Sequence, residues 1–118
     1  MDMKIEIETT KRYLDYEIFN AKNLSLDTCF LLSDGSIISW DGAQLKKRAD
    51  ESYIFYLAVQ IITSVGTNLF SSWLFEKLKN HEVKIRIEGN EIRNNPEEIQ
   101  KALIGQSERE NAKPSDII

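Results

Sequence analysis

The stretch 52–75, SYIFYLAVQIITSVGTNLFSSWLF, runs for 24 residues without a formal charge. A segment so poor in ionic groups belongs in a bilayer, in a protein core or against another surface. Length alone permits a membrane span, since about 20 residues cross the hydrocarbon core. Composition argues against one, because Gln60, Thr63, Ser64, Thr67, Asn68, Ser71 and Ser72 interrupt the run. At about 100° per residue, Gln60, Ser64, Thr67 and Ser71 share one narrow arc of a helical wheel, while Ala58, Ile61, Ile62, Val65 and Leu69 lie across it. The spacing therefore predicts one long amphipathic helix over about 50–79, capped at Asp41 or Asp50 and closed by Lys77 and Lys79. Its polar face carries short hydroxyls and amides in place of ions. Such a face suits burial under the chain's own strands or contact with another protein. Gly66, which costs about 1 kcal/mol relative to alanine inside a helix, points to a close crossing or a kink.

Around this run the pattern is that of strands. Met3 to Glu8 alternates apolar and charged residues, as a half-buried strand does. Leu14, Tyr16 and Ile18 alternate with Asp15 and Glu17 and read as a second, hairpin-paired strand, with a short helix over 10–20 as the alternative. Two apolar runs in 28–40 flank Asp34-Gly35, which predicts a hairpin with a type I′ turn. Period two returns in Val83, Ile85 and Ile87, with Gly89-Asn90 turning the chain into a short strand that ends near Arg93. Asn95 then caps a helix that opens with Pro96, Glu97 and Glu98, buries Ile99, Ala102 and Leu103, and stops at Gly105. The expected fold is α+β: an antiparallel sheet of hairpins, about six strands, packed against one long amphipathic helix plus a short C-terminal helix. Residues 1–105 form a single domain on this reading, and 106–118 a flexible polar tail.

Composition sets the class. A chain of 118 residues, 42% hydrophobic and 29% charged, is one globular domain with core enough to fold without staples. Its net charge of −4 is unevenly placed. Residues 1–45 hold Asp2, Glu6, Glu8, Asp15, Glu17, Asp27, Asp34 and Asp41 against Lys4, Lys11, Arg12 and Lys22, which accounts for the whole excess. An acidic chain repels phosphate backbones, so direct nucleic-acid binding is not expected. The lone cysteine, Cys29, lies in an apolar run and reads as a small buried hydrophobe in a reducing cytoplasm. MDMKIEIETTK has no apolar region of a signal peptide.

No arrangement of residues points to chemistry. The single histidine, His81, has no second histidine to share a zinc ion, and a Cys29–His81 pair would need a core residue as nucleophile. The carboxylate pairs Glu6/Glu8, Asp15/Glu17, Glu97/Glu98 and Glu108/Glu110 read as solvated faces. The five glycines have no phosphate-loop spacing. Lys46-Lys47-Arg48 reads as a solvated basic triplet. No metal or cofactor is expected, and no enzyme activity, although a small enzyme with an unrecognised site is a third alternative.

The sequence thus points to a small non-enzymatic protein-interaction module of the cytoplasm, acting by protein-protein contact or self-association, without nucleic acid or membrane. Two candidate surfaces follow: the uncharged face of Gln60, Ser64, Thr67 and Ser71, giving salt-insensitive contact with a partner or a homodimer, and the acidic Glu6, Glu8, Asp15 and Glu17, favouring basic partners. A specific form of the second is an acidic inhibitor of the mobile-element kind, an anti-defence protein that competes for a nucleic-acid-binding groove of its target.

Overall fold

The computed structural model describes residues 2–46 and 52–111, with side chains described to residue 105. Six strands form one sheet: β1 (Asp2–Thr9), β2 (Cys29–Leu31), β3 (Ile37–Lys46), β4 (Ser52–Gln60), β5 (Val83–Ile87) and β6 (Asn90–Ile92). Their order is β2-β3-β4-β1-β5-β6, and every neighbouring pair is antiparallel. Three helices accompany them: α1 (Leu14–Phe19), α2 (Ser64–Leu78) and α3 (Pro96–Asn111). The class is α+β, as the sequence predicts.

One face of the sheet holds the core. Met3, Ile5 and Ile7 of β1, Tyr53, Phe55, Leu57 and Val59 of β4, and Ile85 and Ile87 of β5 point to it. Leu14 and Ile18 of α1, Phe70, Leu74 and Leu78 of α2, and Ile99 and Leu103 of α3 close it from above. Burying each of these large side chains stabilises the fold by about 1.5–3 kcal/mol before chain entropy is counted. The other sheet face has no helix packed on it among the described residues.

The main correction concerns the uncharged run, which is two elements. Residues 52–60 form β4, a central strand between β1 and β3, and the helix begins only at Ser64. Accordingly α2 spans 15 residues, half the length predicted. Asp41 caps nothing; it stands with Gly42 in a bulge where β3 slips against Tyr56 of β4. Gly42 has φ 103, a value that glycine supplies without strain. Asp50, Lys47 and Arg48 lie outside the described residues. The predicted second strand is the short helix α1, with buried Leu14 and Ile18 one turn apart.

Two turns also differ in kind. Leu32 N–H donates to Ser36 O at 2.8 Å and Gly35 N–H to Leu32 O at 3.0 Å, closing a three-residue loop with only Gly35 at positive φ. That is a type I turn followed by a left-handed glycine, not type I′. Instead Glu88 and Gly89, at φ 49 and 85, make the two-residue positive-φ turn between β5 and β6. The Asn95 cap stands as predicted, its Oδ1 accepting from Glu97 N–H at 2.8 Å. Gly105 does not end α3, which continues to Asn111; residues 112–118 of the expected tail lie outside the described residues.

Candidate interaction surface

The polar residues of α2 face inwards. Thr67 and Ser71 lie with Phe70 and Leu74 on the buried side, 8% and 1% exposed. Each satisfies its hydroxyl on its own helix: Thr67 Oγ1 donates to Ser64 O at 3.0 Å and Ser71 Oγ to Thr67 O at 2.6 Å. Back-bonding of this kind lets a hydroxyl sit against a core without an external partner. Ser64 is exposed at the start of α2, and Gln60 is exposed at the end of β4 on the helix-free face of the sheet. The four residues of the predicted polar face do not share one surface.

Nor do the four acids. Asp15 is fully buried, so it is not available to a partner. Its carboxylate accepts from Trp40 Nε1 at 2.9 Å, from Tyr53 OH at 2.8 Å and from Tyr16 N–H at 3.1 Å, tying α1 to β3 and β4. Burial, then the hydrogen bond to Asp15, pushes the Tyr53 phenol well above the usual tyrosine range. Glu6 and Glu8 point from β1 onto the helix-free face, where both bind the Arg86 guanidinium of β5, Glu8 at 3.1 Å. Desolvation there opposes the Arg86 charge, but the bonds from Glu6 and Glu8 outweigh it and raise the guanidinium pKa. Glu17 is exposed, bonded to Lys11 at 2.7 Å and 3.7 Å from His81 Nε2; the Lys11 bond leads in holding its carboxyl below the usual range. Glu6, Glu8 and Glu17 are thus each paired with a cation of the chain itself.

The helix-free face divides by charge. Its β1-β5-β6 half carries Lys4, Glu6, Glu8, Lys84, Arg86 and Glu91, with Lys4 Nζ 4.8 Å from the Tyr56 ring centroid. Its β2-β3-β4 half is uncharged over Cys29, Leu31, Ile37, Ser39, Ala58 and Gln60. A shallow depression of about 360 Å³ opens where this half meets β1, over Asp2, Ile37, Ser39, Ala58 and Gln60. At the far end of β1 an open groove of about 430 Å³ is lined by Glu8, Thr10, Ser52, Glu82, Val83 and Lys84, with charges of both signs.

Four of the exposed apolar residues, Phe30, Leu31, Ile62 and Val65, lie beside the uncharged half, and Tyr13, Leu26, Leu45 and Ile104 are exposed as well. β2 is an edge strand, and Phe30 is 45% and Leu31 64% exposed. Ile62 and Val65, at the start of α2, are 58% and 55% exposed. They sit at the same end because the β2–β3 turn docks on the helix N-terminus. Asp34 accepts from Ser36 N–H at 2.9 Å, Ser36 Oγ at 2.8 Å and Thr63 Oγ1 at 2.8 Å, and Ile62 N–H donates to Ser36 Oγ at 3.0 Å. The Ser36 N–H, aided by the two hydroxyls, holds the Asp34 carboxyl below the usual range against partial desolvation. Close packing needs Gly66, since a Cβ there would lie 2.5 Å from Ser36 Oγ. Phe30, on the helix side, leans on Trp73 at 5.8 Å between ring centroids.

Cys29 is exposed on this edge, correcting the expectation of a buried thiol. It lies on the β2 edge whereas His81 precedes β5, with β3, β4 and β1 between, so the two do not pair. Among the described residues no three His, Cys, Asp or Glu side chains gather as a metal site, and no helix is long and apolar enough to cross a membrane. Phe30 and Leu31 were not singled out in the sequence, and Ile62 and Val65, expected on the buried arc of a long helix, are exposed because the helix begins only at Ser64. The available signal was the unbroken Phe30-Leu31-Leu32, which a strand with one covered face cannot bury entirely. Comparisons with models of protein families, with curated proteins and with solved structures each return no match.

Proposed function

We propose that this chain is a small, non-enzymatic, cytoplasmic interaction module that works through the β2 edge and the adjoining start of α2. The observation that carries the reading is the grouping of Phe30, Leu31, Ile62 and Val65, all large, apolar and more than two-fifths exposed, at one end of the sheet. Single apolar residues are ordinary on a surface; these lie on or beside an uncovered strand edge, Phe30 on its helix side and Leu31 on the other, and an open edge is what a binding surface offers. The neighbouring sheet face adds the uncharged Ile37, Ser39, Ala58 and Gln60, with Asp2 beside them, in keeping with the low charge of interface centres. The displaced titrations have local structural causes: Tyr53 and Asp15 join α1 to the sheet, and Asp34 joins the β2–β3 turn to α2.

The test compares the parent chain with a Leu31→Lys/Val65→Lys variant of unchanged circular dichroism. Molar mass in detergent-free buffer reads self-association, and affinity capture from the source cell reads a second protein. Association shown by the parent and lost by the variant supports the reading. Association that both retain places the contact elsewhere and sinks it.

A further inference from the structure

The outer edge of β2 has a backbone ready to bond and carboxylates at both of its ends. In an antiparallel pair, successive residues turn their N–H and C=O alternately towards and away from the neighbour. Thr28 O accepts from Trp40 N–H at 3.0 Å and Leu32 N–H donates to Ser36 O at 2.8 Å, so Thr28, Phe30 and Leu32 are the residues bonded to β3. Cys29 and Leu31 therefore direct their N–H and C=O outwards, two donors and two acceptors on the sheet's last strand. Among the described residues no element covers them, in keeping with the exposure of Cys29, Phe30 and Leu31.

Charge at this end is one-sided. From Asn23 to Leu45 the chain has Asp27, Asp34 and Asp41 and neither lysine nor arginine. Asp27 and Asp41 adjoin the Thr28–Trp40 bond at the start of β2, and Asp34 sits in the turn at its end. Two groups of carboxylates are thus separated by a strand of about five residues, about 17 Å at about 3.4 Å per residue. A second copy of the chain would bring like charge against like charge here, which disfavours pairing of two β2 edges.

We propose that β2 takes up an extended segment of another protein as a seventh strand, apolar at alternate positions and carrying lysine or arginine at both ends. This rests on the β2 end being the contact surface and names the partner's chemistry. Backbone bonds to Cys29 and Leu31 supply the pairing, Leu31 and Ile37 meet the partner's apolar side chains on the helix-free face, and the three aspartates select the basic ends.

The experiment selects binders to the full chain from a displayed library of random twelve-residue peptides, then synthesises them. The expected peptides alternate apolar residues between basic ends, protect the Cys29 and Leu31 amides from hydrogen exchange, and bind more weakly as salt rises. Leu31→Pro removes an outward N–H, which an edge strand tolerates, together with the leucine's contact; it should weaken binding by at least about fivefold to tenfold, whereas Leu31→Val keeps both. An Asp27→Asn/Asp41→Asn variant should lose both affinity and salt dependence. Peptides seated on β2 without basic ends, or indifferent to salt, overturn the proposed chemistry but leave the contact surface standing. A library that yields no binder, or protection at other amides, overturns strand addition. Self-association that buries Leu31 also overturns this proposal while supporting the contact reading, so the two fail separately.

Discussion

Gly66→Ala should destabilise this protein, although the same change inside most helices stabilises by about 1 kcal/mol. The reason is steric. A Cβ on residue 66 would lie 2.5 Å from Ser36 Oγ, 2.8 Å from Asp34 Oδ2 and 3.0 Å from Ile61 Cγ2. Ser36 is fully buried, and its hydroxyl both donates to Asp34 and accepts from Ile62 N–H, so it cannot turn away without breaking two bonds. Losing a hydrogen bond to a carboxylate costs about 1.5–3 kcal/mol, and leaving the Ile62 amide without a partner about 1 more. Set against the propensity gain, the net loss is about 1.5–3 kcal/mol, or about 10 °C in Tm for a domain of this size. Urea denaturation of Gly66→Ala, Ser36→Ala and the double variant measures it. Because Ser36→Ala removes the closest atom, Gly66→Ala should cost less in that background than in the parent, and the double variant should lose less than the sum of the two. A neutral or stabilised Gly66→Ala would refute the close docking of the β2–β3 turn on α2, and with it the shared location of Leu31 and Ile62.

Tyr53→Phe should cost about 1.5–3 kcal/mol, because the buried Asp15 carboxylate loses a donor. Since the Tyr53 phenol titrates higher in the folded chain than in the unfolded one, its contribution is complete below about pH 10 and is lost as pH rises through the folded value. The stability difference between parent and variant, followed by denaturation from pH 7 to 11, should therefore shrink only above about pH 10. Arg86→Met leaves the half-buried Glu6 and Glu8 without their shared cation; the loss should be about 1–2 kcal/mol in dilute buffer and smaller in 0.5 M salt, where like charges are screened. Leu31→Lys should change thermal stability by less than about 0.5 kcal/mol, because its side chain is 64% exposed, while abolishing capture of the partner.

Elements whose information is local were legible. The alternation of β1 and β5 and the Asn95 cap of α3 each depend on a few adjacent residues. β4 was not, because Ile54, on the helix-free face, is buried and apolar like its neighbours on the core face. With both faces apolar, the strand loses its period of two, and Ile61-Ile62 joins it to α2 without a glycine or proline. Enrichment in Tyr, Ile, Phe and Val was the remaining sign of a strand. α1 failed in the opposite sense, since its alternation imitates a strand. What determines it is the set of bonds from Asp15 to Trp40 and Tyr53, 25 and 38 residues away. No local window contains those partners.

The contact surface was missed for a related reason. A helical wheel ranks a face by polarity, yet Thr67 and Ser71 are polar and buried because each hydroxyl closes on its own helix. The reverse holds at β2. A sheet with helices on one side only cannot bury consecutive apolar residues of an edge strand, because successive side chains point to opposite faces. Phe30 and Leu32 therefore turn towards the helices, and Leu31 must turn to water. That deduction needs only the predicted one-sided sheet and the apolar run around Cys29. It would have placed the candidate surface on β2 without coordinates, and it makes the exposure of Leu31 a consequence of topology. Topology does not dictate the carboxylates at both ends of the strand or the absence of any cation between Asn23 and Leu45. Asp34 also holds the β2–β3 turn to α2, so it is Asp27 and Asp41, with the missing cations, whose placement beside an open edge speaks for a partner.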